Sequence, residues 1–402
     1  LLILIAAIGI LIFRFWQVLT TPQPQVGKEI KITGKVLQEP VIYGQSQYFN
    51  LDEFRIRTKI FPKYHFGDRL EVVGNPSENL LIDYPKRTSL AYPEIKKLGQ
   101  EKDLLSHVFS LRQILIDKSA QIWPQPESAL FTGVILGEDS ILPNFRENLI
   151  KTGTVHIVVV SGQNVSMLAG FTTTILATFL KRRTTALLVI LVIFFYTLLT
   201  GFQPPTVRAA IMGGLTFLAK LTGRENWGFW ALAIAALSML IFDPKLLFDI
   251  SFQLSFAATF GILFGQSFFE TIFTNFPKII KETLSITFAA WIFTAPIIAF
   301  YFSQFTPITP VSNLLVVPVV PFLMISGAIS VTLALINLFL GKIAAVIPFI
   351  GATYFTFVIE NLSKLPFANL TLPQINIFLV ASFYTFVILI ILWSKIRLLA
   401  EK

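Results

Sequence analysis

Four short polar runs interrupt a strongly apolar chain, and they are where its chemistry must lie. The first is Thr152-Gly153-Thr154-Val155-His156, followed by Ser161-Gly162-Gln163-Asn164-Val165-Ser166. The second runs from Thr200 through Gln203-Pro204-Pro205-Thr206 to Arg208. The third holds Asp243-Pro244 and then Asp249, Gln253 and Ser255. The fourth holds Thr294, Pro296, Gln304, Thr306 and Asn313. Polar and charged groups within membrane spans are costly, and they persist where they face one another or a cavity. One cation among neutral hydrogen-bonding side chains suits contact with an anion. His156, Ser161, Gln163, Asn164, Thr206, Arg208, Asp249, Gln253 and Asn313 are therefore the expected polar cluster. An Arg208–Asp249 pair is expected to offset the burial of each charge.

Other chemistries fit the residues poorly. His156 and Ser161 are about 140° apart around an ideal helix, a poor geometry for a base and its nucleophile. There is no Gly-x-Ser-x-Gly elbow. The three histidines are widely separated and cysteine is absent, so no metal-ligand pattern arises. No phosphate-binding Gly-x-x-x-x-Gly-Lys-Ser/Thr stretch is present. The expectation is a protein that is not an enzyme and needs no metal or cofactor.

The elements that must hold these runs are membrane spans. Hydrophobic residues make up 54% of the 402 and charged residues only 14%, well below a soluble domain. Residues 1–19 read as an anchor. Further apolar segments follow at 155–180, 184–200, 207–221, 228–242, 246–269, 283–302, 311–340, 343–360 and 376–394. The expected fold is a polytopic α-helical membrane protein of about 9–11 spans. Lys181, Arg182, Arg183, Lys220, Arg224, Lys278, Lys281, Lys342, Lys395, Arg397 and Lys402 fall on one side if the N-terminus is cytoplasmic. That is the positive-inside pattern, and it puts both termini on the cytoplasmic side of the membrane and 26–153 outside. All four polar runs then lie in the outer half of the bilayer. Pro318 and Pro321 break the long segment 311–340, so it is expected to line or support an internal path.

The remaining segments are less apolar. Residues 26–103 carry strand-type alternation at 28–37, 47–60 and 68–74, which suggests a small extracytoplasmic β-barrel of OB type. Arg55, Arg57 and Lys59 fall on one strand face, with Lys63 and Tyr64 after them and Tyr43, Tyr48 and Phe49 close by. A basic stripe with aromatics is how such barrels hold single-stranded nucleic acid, although basic and acidic residues nearly balance over this unit. Residues 104–153 read as amphipathic interfacial helices, with Leu104, Val108, Leu111, Leu115 and Ile122 at helical spacing. Residues 154–402 form the polytopic part.

Several motifs together resemble the ComEC family of competence proteins. They are Gly133-Val-Ile-Leu-Gly137; Thr152-Gly-Thr-Val-His156 through Ser161-Gly162; Tyr196-Thr-Leu-Leu-Thr-Gly201 with Arg208-Ala-Ala-Ile-Met212; Asp243-Pro244 with Phe252-Gln-Leu-Ser-Phe256; and Asn313-Leu-Leu-Val-Val-Pro318. The resemblance implies an inner-membrane channel that passes single-stranded DNA during natural transformation. It implies partnership with membrane lipid, a DNA receptor and an ATP-driven translocase, and leaves room for a homo-oligomer. Family members usually carry His three residues after the Ser of the Ser-Gly pair, where this chain has Asn164. Many also carry a C-terminal metallo-β-lactamase-like domain, whereas this chain ends at Lys402 after a span, so nuclease activity is not carried over. The rival reading is a proton-coupled transporter of a small anion or lipid precursor, with Asp249 and His156 as the coupling pair.

Overall fold

The structure is a computed structural model that describes residues 2–20, 29–36, 40–43, 46–51, 54–78, 88–100, 104–138, 140–159, 161–222 and 228–400. Helix α1 (Leu2–Thr20) comes first, followed by eight strands: β1 (Ile30–Lys35), β2 (Val41–Tyr43), β3 (Ser46–Leu51), β4 (Phe54–Lys59), β5 (Asp68–Gly74), β6 (Pro76–Glu78), β7 (Thr88–Ala91) and β8 (Glu94–Gln100). They form two sheets, one ordered β1-β5-β8 and one ordered β2-β3-β4-β7-β6. The pairs are antiparallel except β4 with β7. Among the described residues the strands do not close into a barrel. Val36, Phe49, Leu51, Ile56, Leu70, Val72 and Leu90 make one apolar core for this unit. Tyr43 was expected near the basic stripe; its side chain lies outside the described residues.

The rest is helical. In order come α2 (Leu104–Ile122), α3 (Glu127–Leu136), α4 (Pro143–Lys151), α5 (Val155–Val158), α6 (Gly162–Phe179), α7 (Arg182–Leu199), α8 (Pro204–Thr222) and α9 (Gly228–Phe242). A 3-10 turn (Pro244–Phe248) leads into α10 (Ile250–Ile272), α11 (Lys278–Phe302), α12 (Thr309–Val316), α13 (Val320–Ile336), α14 (Leu338–Leu362) and α15 (Ile377–Ala400). Among the described residues, five helical stretches are long and apolar enough to cross a membrane: α7, α10, α11, the α12–α13 pair and α14. α9, α3 and part of α15 are apolar but shorter.

Two departures from expectation matter. The segment read as one span over 155–180 is two helices, because Ser161 starts α6 as its N-cap and accepts from the Asn164 N–H. The stretch at 311–340 breaks at Val317–Val319, where proline removes a helix donor, and breaks again at Asn337, which caps α14.

Helix α3 departs further. An interfacial helix keeps one face in water, but nine of the ten residues named for α3 are buried, and Ala129, Leu130, Phe131 and Val134 join the main core with residues of α12, α13 and α14. The Trp123 ring stacks on Phe131 with centroids 3.9 Å apart, and its Nε1 donates to the Ala345 carbonyl at 3.1 Å. The β-unit meets the helices where Phe66 stacks on Phe109 of α2 at 4.1 Å. Helix α1 is tied in as well: Arg14 donates through Nε to Ile241 O at 3.2 Å and through Nη2 to Phe242 O at 3.0 Å, satisfying the last carbonyls of α9.

Candidate functional site

The site is built around Arg208. Pro204 and Pro205 open α8, where the missing N–H costs nothing, and Arg208 falls just past the first turn. Its side chain crosses to α10. There Nη1 donates to the Ser255 carbonyl and the Thr259 hydroxyl, and the guanidinium lies 5.8 Å from the centre of the Phe256 ring. On its other side Nη2 passes so close to Gly162, the first residue of α6, that any Cβ there would collide with it. Three helices thus converge on one guanidinium.

Arg208 is 8% exposed and its Nε has no hydrogen-bond partner. No carboxylate among the described residues pairs with it. A buried charge without a counter-charge is expensive, and an anion placed against it would recover much of that cost. The expected Arg208–Asp249 pair is not formed. Asp249 is the N-cap of α10, where Oδ1 accepts from the Phe252 N–H at 2.8 Å. Arg208 meets α10 roughly two to three turns further along, so Asp249 lies beyond its reach.

A second group of expected residues holds the end of α3. Carbonyls at a helix C-terminus have no intrahelical donor. Here Asn164 Nδ2 and Tyr196 OH both donate to Val134 O, at 3.0 and 3.3 Å. Gln203 Nε2 donates to Gly137 O at 3.0 Å, and Arg112 Nε donates to Leu136 O at 3.2 Å. Arg112 Nη2 also pairs with Glu138 at 2.7 Å. Gly137 closes the helix at φ 70°, a conformation that favours glycine. Asn164 Oδ1 takes the Ser161 hydroxyl at 3.1 Å, so this buried amide is engaged at both ends and does not face an open path. Asn164 lies two residues from Gly162 and Gln203 stands just ahead of α8, so the tip of α3 fixes both flanks of the Arg208 site.

The other expected residues are dispersed. His156 Nδ1 lies 3.0 Å from Gly153 O on its own turn, and the ring is exposed. The structure does not bring it to Asp249. Gln163 is exposed on α6, and Gln253 Nε2 donates to Leu247 O at 2.9 Å. Thr206 is fully buried with an unpartnered hydroxyl, and the Asn313 Oδ1 is likewise buried and unpartnered. The first and fourth polar runs do meet, because Thr306 and Thr309 pack directly over Gly153.

On the β-unit the alternation holds. Arg55, Arg57 and Lys59 are exposed on one face of β4, and Lys63 is exposed beyond it. Arg55 and Arg57 each lie 5.7 Å from the Tyr48 ring, and Arg57 lies 5.2 Å from the Tyr92 ring. Tyr92 is 50% exposed, and its hydroxyl meets Ser46 at 2.9 Å. That hydrogen bond, helped by the charge of Arg57, holds the phenol below its usual pKa. Tyr64 does not join this face: it is 6% exposed and packs on Phe49 in the core. Thr259, Arg112, Glu138 and Tyr92 are not singled out by the sequence. Their signal is a partner far along the chain.

Comparison with known proteins follows the same geography. A family model described as Competence protein matches residues 134–397, which takes in the tip of α3 and the whole Arg208 site. ComE operon protein 3 of Bacillus subtilis (strain 168) is 24% identical over 247 residues, 60% of this chain and 31% of that protein. Uncharacterized protein YcaI of Escherichia coli (strain K12) is 26% identical over 229 residues, 53% of this chain and 30% of that one. An uncharacterized protein of Aquifex aeolicus (strain VF5) is 32% identical over 287 residues, 70% of this chain and 63% of that one. The chain therefore spans less than two thirds of the length of each of these relatives. No solved structure matches it.

Proposed function

This multi-pass chain belongs to the ComEC family of competence proteins, and from that premise we propose that it passes single-stranded DNA through the cytoplasmic membrane during natural transformation. The observation that carries the reading is the Arg208 guanidinium, buried among three helices with neutral acceptors and no carboxylate partner among the described residues. A strand with a charge at every phosphate needs a protein-lined, hydrated route, and a cation with unsatisfied bonding capacity suits a phosphate oxygen. Both termini are cytoplasmic in this reading and the β-unit faces outward. A DNA receptor outside and an ATP-driven translocase inside supply delivery and force, and the chain itself performs no bond chemistry. The proton-coupled alternative has less support, because Asp249 and His156 have separate partners and do not form a pair.

The test is internalisation of labelled DNA into cells lacking the protein and then complemented with it. Nuclease-resistant label must appear only on complementation; uptake without the protein sinks the reading. Gly162→Ala refines it. Gly162 is the first residue of α6, outside the helix interior, so uptake by the alanine variant is compared at equal protein level. Its methyl occupies the place of the Arg208 Nη2, and uptake should fall about tenfold if one charge-assisted hydrogen bond is lost.

The β-unit is proposed to receive the strand along Arg55, Arg57, Tyr48 and Tyr92. Base stacking contributes about 1–3 kcal/mol per base, so Tyr92→Ala should weaken oligo-dT binding by the full-length protein about tenfold. Arg57→Ser should also flatten its salt dependence. Fluorescence anisotropy across a salt series reads both, and unchanged curves would remove this surface from the route.

A further inference from the structure

Helix α10 is the least apolar of the five membrane-crossing stretches, and it has the smallest share of fully buried residues. Only 17% of its spanning stretch is buried, against 33% to 39% in the other four. Most of that stretch is half-buried, and lipid penalises polar side chains that the chain leaves partly open. Four of its polar residues share one side, while Gln253, Ser267 and Thr271 lie elsewhere around the helix. Ser255, Thr259, Gln266 and Glu270 recur at spacings of four and eleven residues, and eleven residues make about three helical turns. The stripe rises about 22 Å along the helix, most of the roughly 30 Å hydrocarbon core. Each of the four residues is half-buried. A different side of α10 is closed, because Gly261 and Gly265 abut Ala289 of α11. Arg208 sits against the stripe at Ser255 and Thr259 with its Nε unpartnered. At the far end Gln266 Nε2 donates to Glu270 Oε1 at 2.8 Å, which disperses that carboxylate's charge.

We infer that the Ser255–Glu270 side of α10 lines a water-filled path across the membrane, with Arg208 near its outer end. The direction and the cargo rest on the DNA-channel reading; the presence of water does not. The chain contains no cysteine, so single cysteines report directly. Ser255→Cys and Gln266→Cys are compared with Ile347→Cys and Ile350→Cys, whose side chains face outward from α14 at 61% and 68% exposure. Full-length protein in sealed vesicles is treated with a charged, membrane-impermeant methanethiosulfonate. The two α10 cysteines should react at least about tenfold faster than the two on α14, since a thiolate forms in water and not in lipid. Equally slow labelling at both sites overturns the path, whether lipid or a second copy covers the stripe. Ser255→Cys changes one atom, so a folding failure at Gln266 still leaves a readout. Labelling is read without DNA: fast labelling with no complementation of uptake would fault the DNA reading and leave the path standing.

Discussion

Arg208→Gln is expected to abolish most DNA uptake while leaving the protein at its normal level in the membrane. The two halves of this result come from one observation. Arg208 is 8% exposed, has no carboxylate partner among the described residues, and keeps one nitrogen without an acceptor. A residue retained to clamp helices would carry its counter-charge, and its removal would lower stability. An unpaired buried cation instead costs folding energy, so a neutral amide of similar reach should be neutral or stabilising. The lost function is a charge-assisted contact, about 1.5–3 kcal/mol, which corresponds to roughly ten- to hundredfold in a rate or affinity. Asp249→Asn is the contrast. Asparagine is as good an N-cap as aspartate, so this variant should retain near-normal uptake. Uptake of DNase-protected label, normalised to immunodetected protein, reads all three strains. A destabilised Arg208→Gln protein whose remaining molecules transport normally would make Arg208 a structural clamp.

The contrast between Arg208 and Asp249 also marks how far the sequence is legible. Local signals were readable. The alternation in Arg55-Ile56-Arg57-Thr58-Lys59 does put three cations on one exposed face, because strand period is a backbone property. Proline does break the long apolar run after Val316. Membership of a competence family is visible in motifs spread from Gly133 to Pro318. What stayed hidden was the set of partners. Asn164 looks like a channel-lining amide until its acceptor is known, and that acceptor lies 30 residues earlier, on α3. Helix α3 is buried on nearly every side, and periodicity cannot reveal a helix with no wet face. Strand alternation cannot say whether a sheet closes, so two sheets look like one barrel. Asp249 has the spacing to share a helix face with Gln253, yet it stands outside the helix as its cap.

The tip of α3 supplies the other large effect. Arg112 has a side-chain exposure of 6% and Glu138 one of 26%, so the two halves of this ion pair differ in their access to water. Breaking a buried pair is most costly when the stranded charge cannot be rehydrated. Glu138→Leu strands Arg112, which has almost no access to solvent, and is expected to destabilise the protein by about 3–5 kcal/mol. Arg112→Met removes the deeply buried charge, leaves a carboxylate that water can reach, and takes the side-chain donor from the Leu136 carbonyl, for about 1–3 kcal/mol. The double variant should recover part of the larger loss, because the stranded guanidinium is then removed as well. Thermal unfolding of the detergent-solubilised protein reads the cycle. Uptake should follow stability here, unlike at Arg208, because Asn164 and Gln203 grip this same tip and border Gly162 and α8. If Arg112→Met proves the more damaging single change, the pair is held by its packing and not by charge, and α3 steadies the Arg208 site through shape alone.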